Sequence, residues 1–437
     1  MVALLTRIYI ANYTVLTQHS ATVSLSFLLH LIWRQFRYPL PIGTFGFGLI
    51  GIISWSLWLF RMVLSRFYKP LVNDFRTTTS VVVPSYREDP DIIERCLKTW
   101  LSENPTEIIV VVDVADVEVL ERLNHYTDDK RLRVIPFRHE GKRSALGVGI
   151  RAARSEIVVL ADSDTAWQPG LLDAIQMPFV DPTVGGVGTR QNAVLRESSA
   201  WRIIADWLVN LRYLDYVPVE SMFGGVACLS GRTAAYRLSV IKPVLNDLEY
   251  EYFMGRLCVA GDDGRLTWLV LSQGYKTVYQ SSAQAWSMFP NQLRAFIKQR
   301  VRWSRNSYRC YLTAIYNGWL WKQSIVTQLR TIQILMTPLT QFFSLIYIFW
   351  MLIHSLWLLA AAGLVWLLVG RLIRSISHLY EHPKDIWLLP VLTLTVIIIA
   401  LPIKIWAFIS MNKQGWLTRT TTSMGGEGQT ERSLSIP

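Results

Sequence analysis

The chain has 437 residues, 51% of them hydrophobic and 18 of them Trp, and a formal charge of +12. Its apolar residues concentrate before Phe60 and after Ile325, which excludes an ordinary soluble enzyme, while the stretch between has normal polarity and is long enough for one sizeable core. The charge suits a membrane protein with basic flanks and an anionic substrate, since no nucleic-acid motif accompanies it, and the four cysteines (Cys96, Cys228, Cys258, Cys310) show neither metal-ligand spacing nor a paired framework.

Two apolar stretches open the chain. Val15 to Trp33 contains His19 and His30, and Leu40 to Phe60 has about the 20 residues a bilayer requires. Arg61, Arg66 and Lys69 follow the second, so its end is expected to face the cytoplasm, against a mild pull from Arg34 and Arg37. The first segment lacks a small-residue cleavage site, so no removable leader is expected.

From Ser80 the pattern alternates strand and helix. Ser80 to Val83 reads as a strand. Asp89-Pro90 reads as an N-cap with Pro at the first helical position, ahead of apolar residues at helical spacing from Ile92 to Leu101. Ile108 to Val112 is the second strand and ends on Asp113. Leu132 to Phe137 is the third, and His139-Glu140-Gly141-Lys142-Arg143 follows it, leading into a helix over Ser144 to Arg154. The fourth, Ile157 to Ala161, is a continuous apolar run that stops on Asp162-Ser163-Asp164. Such a run suits a parallel sheet covered on both faces. Its carboxyl edge is where open α/β sheets bind ligands. Two hard carboxylates there suit Mg²⁺ or Mn²⁺ completed by phosphates and water, though by themselves they read equally well as a polar turn. Neither a dinucleotide-binding nor a P-loop glycine pattern is present. Gly261-Asp262-Asp263, taken alone, reads as the N-cap of a helix over Leu266 to Ser272.

Asn291 to Leu312 has an apolar face and a basic stripe of Arg294, Lys298, Arg302, Arg305 and Arg309, as in a helix lying in a membrane surface. Spans are expected near Ile332–Leu352, Leu356–Gly370 and Ile386–Ile409. A polar cytoplasmic loop from Arg371 to Asp385 joins the last two, and the count puts the C-terminus outside. Beyond Gln414 the composition is that of a disordered tail. No internal repeat is apparent.

Six motifs in order resemble the membrane-bound processive family-2 glycosyltransferases, the group of hyaluronan, chitin, nodulation chitooligosaccharide and cellulose synthases. They are Pro84-Ser85-Tyr86-Arg87-Glu88-Asp89, Val112-Asp113, Gly141-Lys142-Arg143, Asp162-Ser163-Asp164, Gly261-Asp262-Asp263 and Gln299-Arg300-Val301-Arg302-Trp303. The resemblance implies a GT-A-type α/β nucleotide-sugar-binding domain between transmembrane helices, with amphipathic interface helices. It divides the chain into an N-terminal membrane region (1–69), a cytoplasmic catalytic domain (70–290), interface helices (291–330), a C-terminal membrane region (331–412) and a tail (413–437). It implies a UDP-sugar donor, Mg²⁺ or Mn²⁺, a growing β-linked polysaccharide as acceptor, and a multi-pass place in the plasma membrane. By the same resemblance, Tyr86, Asp113, Lys142, Arg143 and Asp162 bind the nucleotide. Asp164 with Asp162 holds the metal, Asp263 is the general base, and Gln299, Arg302 and Trp303 bind diphosphate and acceptor. Gly224 to Arg232 resembles the hyaluronan-synthase acceptor loop, but Arg232 stands where that loop has Pro, so hyaluronan is not implied as the product. The alternative is an enzyme that loads one sugar onto a lipid carrier. A transporter with a regulatory domain would need more ionisable residues inside its spans than His19, His30, His354 and Lys404.

Overall fold

The structure, a computed structural model, describes residues 49–126, 128–138 and 140–413. The expected span over Val15 to Trp33, the first part of Leu40 to Phe60, His139 and the tail lie outside them. Chain contacts define two compact units. The larger is Ile53–Phe342 with the described residues from Leu367 onward, and the smaller has described residues 49–52 and Phe343–Trp366.

An eight-stranded sheet organises the larger unit, with strands in the order β3-β2-β1-β4-β7-β6-β10-β5. The strands are β1 (Thr79–Ser85), β2 (Glu107–Asp113), β3 (Leu132–Phe137), β4 (Ile157–Ala161), β5 (Thr165–Trp167), β6 (Val184–Ala193), β7 (Thr233–Arg237) and β10 (Lys276–Ser287). A separate hairpin pairs β8 (Tyr252–Phe253) with β9 (Arg256–Leu257). The first four strands are parallel, with Val81 opposite Ile108 and Val159. The continuous apolar runs of β1, β2 and β4 follow from cover on both faces. Val82, Ile109, Val111, Val158 and Leu160 enter one core, while Val81, Val83, Ile108, Val110 and Val159 enter the other. Burying each such side chain stabilises the fold by roughly 1.5–3 kcal/mol. The sheet is not parallel throughout, because β7 runs antiparallel between β4 and β6 and draws the chain back beside the end of β4.

Of the helices, α1 is Leu49–Ser65, and α2 (Pro90–Ser102) begins with Asp89 accepting from the amides of Asp91 and Ile92. Next come α3 (Val117–Asn124), α4 (Lys142–Ala152), α5 (Leu171–Gln176) and α6 (Ala200–Leu211); α4 starts two residues earlier than the pattern suggests. Then follow α7 (Asp262–Ser272), α8 (Leu293–Tyr316), α9 (Ile325–Ile353), α10 (Trp357–Glu381) and α11 (Leu401–Ile409). Among the described residues three helical stretches are long and apolar enough to cross a membrane: Ile325–Ile353, Trp357–Glu381 and Pro383–Ile409. The expected loop from Arg371 is helical as far as Glu381, because its charges alternate with apolar residues that keep the helix packed.

The basic stripe of α8 is not one lipid-facing surface. Arg305 and Arg309 are buried, and Arg305 donates to Ser410 Oγ at 3.0 Å and Arg309 to the carbonyl of Met411 at 3.0 Å. Cations thus meet the C-terminal end of α11, where carbonyls lack helical partners and the helix dipole is negative.

Candidate active site

Strand ends, a helix start and one face of α8 converge on a single cavity of about 280 Å³. β4 delivers Asp162 and Asp164. The turn carrying them is braced by the Asp162 amide donating to the Arg232 carbonyl at 3.0 Å, and by Ser163 donating to the Glu88 carboxylate. α4 delivers Lys142, α7 delivers Asp262 and Asp263, and α8 delivers Gln299, Arg302 and Trp303 on one face.

Lys142 joins two of these elements, with its ammonium 2.8 Å from Asp162 and 2.9 Å from Asp262. Burial opposes the charged lysine, but the two carboxylates hold its pKa above the ordinary value. Burial also acts on Asp262, yet Lys142 outweighs it and keeps that carboxyl below its usual range. Asp162 goes the other way, pushed up by burial with Asp164 adding to the push. Asp263 is left outside this pairing. One of its oxygens accepts from the Gly264 amide at 2.8 Å, and the carboxylate lines the cavity. A methyl group at Gly231 would lie 3.3 Å from Lys142 Nζ, Asp262 Oδ2 and Asp263 Cβ alike, so these three groups surround one point.

The cavity is short of partners for its polar groups. Asp164 and Arg302 make no hydrogen bond or ion pair among the described residues, and Gln299 Oε1, Arg300 Nε and Arg302 Nε are buried without one. Five cations and four carboxylates line it. Such an arrangement accepts a diphosphate and a cation together. No group of three or more His, Cys, Asp or Glu placed to hold a metal occurs among the described residues. The donor set fits Mg²⁺ or Mn²⁺ nonetheless, since these ions bind through one or two carboxylates and complete their shell from phosphates and water.

Tyr86 and Asp113 do not line the cavity. They follow neighbouring strands at the same edge, Ser85 lying opposite Val112, so they flank it on the β1–β2 side. Asp113 accepts from the Ala115 amide at 3.3 Å, as a turn carboxylate does. Arg143, expected at the nucleotide, is 3% exposed and corrects that expectation. Its guanidinium pairs with Glu251 at 2.7 Å and donates to the carbonyls of Leu248 and Gly261 at 3.1 Å. It holds the Gly261 turn from behind and does not line this cavity.

Several lining residues had no role assigned from a motif. Arg232, the departure from the acceptor-loop pattern, has its guanidinium 4.2 Å from the Phe289 ring centre and 5.5 Å from that of Trp303. Arg300 lies 5.1 Å from the Trp303 ring centre. The spacing of three to Trp303 was the available signal for Arg300; Arg212 had none. Cys228 also lines the cavity, and burial with the nearby Asp263 pushes its thiol up to about 12.

A family model described as glycosyltransferase like family 2 matches residues 76–306, just over half of the chain. An N-acetylglucosaminyltransferase of Sinorhizobium fredii is 30% identical over 251 residues, 54% of this chain and 59% of that protein. A hyaluronan synthase of Streptococcus pyogenes is 26% identical over 405 residues, 86% of this chain and 92% of its own. Among solved structures, a mannosyltransferase of Pyrobaculum calidifontis in complex with GDP-Man and Mn²⁺ superposes with a TM-score of 0.57 at 19% identity, covering 83% of this chain and 95% of that one. The fold is therefore GT-A-like.

Proposed function

This chain belongs to glycosyltransferase like family 2 and is a glycosyltransferase, and on that premise we propose that it polymerises sugar from a UDP-sugar into a β-linked polysaccharide and passes the product between its own helices. The observation that carries the reading is the gathering of seven of the ten expected site residues around one cavity. That cavity shares Arg300, Trp303, Ser307 and Tyr311 with a second, of about 360 Å³, lined by α1, α9 and α10.

In this reading Tyr86 and Asp113 hold the nucleoside beside the β1–β2 edge. Asp164, with Asp162, would hold a Mg²⁺ or Mn²⁺ ion, whose chemistry there would be charge neutralisation at the departing diphosphate. Arg302 and Gln299 supply donors to the same oxygens. Asp263 accepts the proton of the attacking hydroxyl, and attack from the face opposite the leaving diphosphate inverts the anomeric centre. Asp262 cannot share this task while Lys142 holds it. Trp303 stands on the wall common to both cavities and offers a flat face to the acceptor sugar. Residues 70–290 form the cytoplasmic catalytic domain of a multi-pass plasma-membrane protein. The three long apolar helices and the relation to a hyaluronan synthase support a place in the membrane.

The test supplies the purified protein in proteoliposomes with a panel of radiolabelled UDP-sugars and either Mg²⁺ or Mn²⁺. The expected product is water-soluble and grows with time. A product that stays organic-soluble with a single sugar would replace polymerisation by the loading of a lipid carrier.

A further inference from the structure

Two consecutive cations grip the turn Gly261-Asp262-Asp263. Lys142 meets it from the cavity side, 2.9 Å from the Asp262 carboxylate. Arg143 meets it from behind, where one guanidinium nitrogen donates to the Gly261 carbonyl at 3.1 Å. Glu251 stands at the foot of the β8–β9 hairpin, which the Cys258 amide closes by donating to the Glu251 carbonyl at 2.9 Å. One oxygen of its carboxylate accepts from Arg143 at 2.7 Å, and the other pairs with Arg265 at 3.2 Å. Arg265 is the fourth residue of α7, and its amide donates to the same Gly261 carbonyl at 3.2 Å. Arg143, Glu251, Arg265 and the Gly261 carbonyl thus close a ring around the start of α7.

This ring differs from an ordinary helix cap. A cap places an acceptor oxygen at the helix start, and cations there oppose the dipole. Here one carboxylate serves two guanidiniums. The side chains of Arg143, Glu251 and Arg265 are only 4%, 7% and 12% exposed, and Arg143 Nε is buried without a partner. Buried charge clusters of this kind add little to stability, but removing one member leaves the others uncompensated. The ring's effect is on direction. Gly261 has φ +81°, outside helical space, so α7 begins abruptly at Asp262. Successive side chains on a helix point about 100° apart. With this start Asp262 meets Lys142, and Asp263 lines the cavity outside that pairing. A start slipped by one residue would turn both carboxylates away from these places.

We infer that Glu251 and Arg265 are positioning residues for sugar transfer: with Arg143 they fix the start of α7, and so keep Asp262 on Lys142 and Asp263 toward the attacking hydroxyl. None of the three lines the catalytic cavity, so they act only through the turn. The inference rests on the transfer and the base proposed above.

The test is a double-mutant cycle on the full chain in proteoliposomes, reading kcat and KM for the UDP-sugar, Kd for UDP, and Tm. Glu251→Gln should lower kcat about 10–100-fold, the effect of displacing a reacting group by about 1 Å, while KM and Kd move less than twofold. In an Asp263→Asn background the same change should lower kcat less than twofold further. Glu249→Gln removes a pair with Arg151 on the same segment, away from the turn, and should leave kcat unchanged. Should Glu251→Gln fail to fold, Arg265→Gln repeats the cycle with Arg143 and Glu251 still matched one to one. Unchanged kcat, additive losses in the cycle, an equal loss in Glu249→Gln, or UDP affinity falling with kcat overturns the inference. Normal transfer in Asp263→Asn instead sinks the proposed base. The ring is then read against Asp262→Asn, where a non-additive loss keeps it and an additive one overturns it. Amide exchange from Arg265 to Trp268 is followed in parallel and should quicken at least tenfold in Glu251→Gln. Unchanged exchange overturns the inference even if no UDP-sugar is turned over, an outcome that would sink the proposed transfer itself.

Discussion

Asp262 and Asp263 are neighbours in sequence with opposite commitments. The first is paired with Lys142 at 2.9 Å, and the second has an oxygen that no pairing occupies. Asp263→Asn should therefore cost about 10²–10⁴-fold in transfer while UDP still binds, measured by titration of UDP alongside a radiolabel assay. Loss of transfer in Asp262→Asn with normal transfer in Asp263→Asn would assign the base to the wrong carboxylate. Asp215 supports a pH prediction. Its carboxyl is completely buried, burial raises its pKa from the ordinary 3.8 to about 6, and Ser377 donating to Oδ1 only partly offsets this. A carboxyl whose folded pKa is raised costs nothing below its unfolded pKa, and destabilises progressively until pH passes the folded value. Asp215→Asn should then raise Tm at pH 8, by on the order of 3 kcal/mol in stability, and leave it nearly unchanged at pH 4. Equal shifts at both pH values would show that packing, not ionisation, governs this position. Residue positions were legible where a motif carried them, as at Asp164 and Trp303, which both line the catalytic cavity. Arg143 was misread because its partner, Glu251, is 108 residues away and no local pattern joins them.

Elements were read best where one force dominates. Three of the four parallel strands, β1, β2 and β4, announce themselves as apolar runs because both their faces are covered, whereas β3 at the sheet edge is half-buried and contains Arg133. β7 does not, since Thr-Ala-Ala-Tyr-Arg has neither length nor alternation, and its direction follows from contacts with β4 and β6. The stripe on α8 has the periodicity of a surface helix, but its cations serve different partners: Arg302 the catalytic cavity, Arg305 and Arg309 the end of α11. Hydrogen bonds to a charged donor contribute about 1.5–3 kcal/mol each. Arg305→Ala/Arg309→Ala should therefore speed amide exchange over Leu401 to Met411 by at least tenfold, with exchange in β1 to β4 unchanged. Unaltered protection in α11 would mean that apolar packing alone holds it.

At the scale of the chain, the stretch Pro383–Ile409 is bound to the catalytic domain near its start and to α8 just past its end. Asp385 pairs with Arg196 near its start, while Ser410 and Met411 just beyond its end accept from α8. Its residues are about 40 Å long as a helix. Along the way Val396 shares a core with Phe296, and Phe408 meets Tyr308 edge-on at 5.5 Å. A helix tied down at both ends in this way is expected to run beside α8 rather than through a bilayer. On that arrangement the C-terminus would lie on the side of the catalytic domain, and an impermeant maleimide should label Lys413→Cys from the same side as Ser102→Cys. Labelling of the two from opposite sides would restore a third crossing. Hydropathy does not separate the two arrangements, because an apolar helix reads alike whether lipid or protein covers it.

The four cysteines bear on how easily that experiment is read. All are free thiols, and burial raises the pKa of each, Cys228 to about 12 even though it borders the catalytic cavity. A maleimide is attacked by the thiolate, and the raised pKa keeps the Cys228 thiol protonated at neutral pH. The natural chain is thus chemically quiet toward alkylating reagents. Introduced cysteines can be mapped on it one by one without first stripping out the native ones, and an alkylating inhibitor aimed at this site would find no nucleophile there.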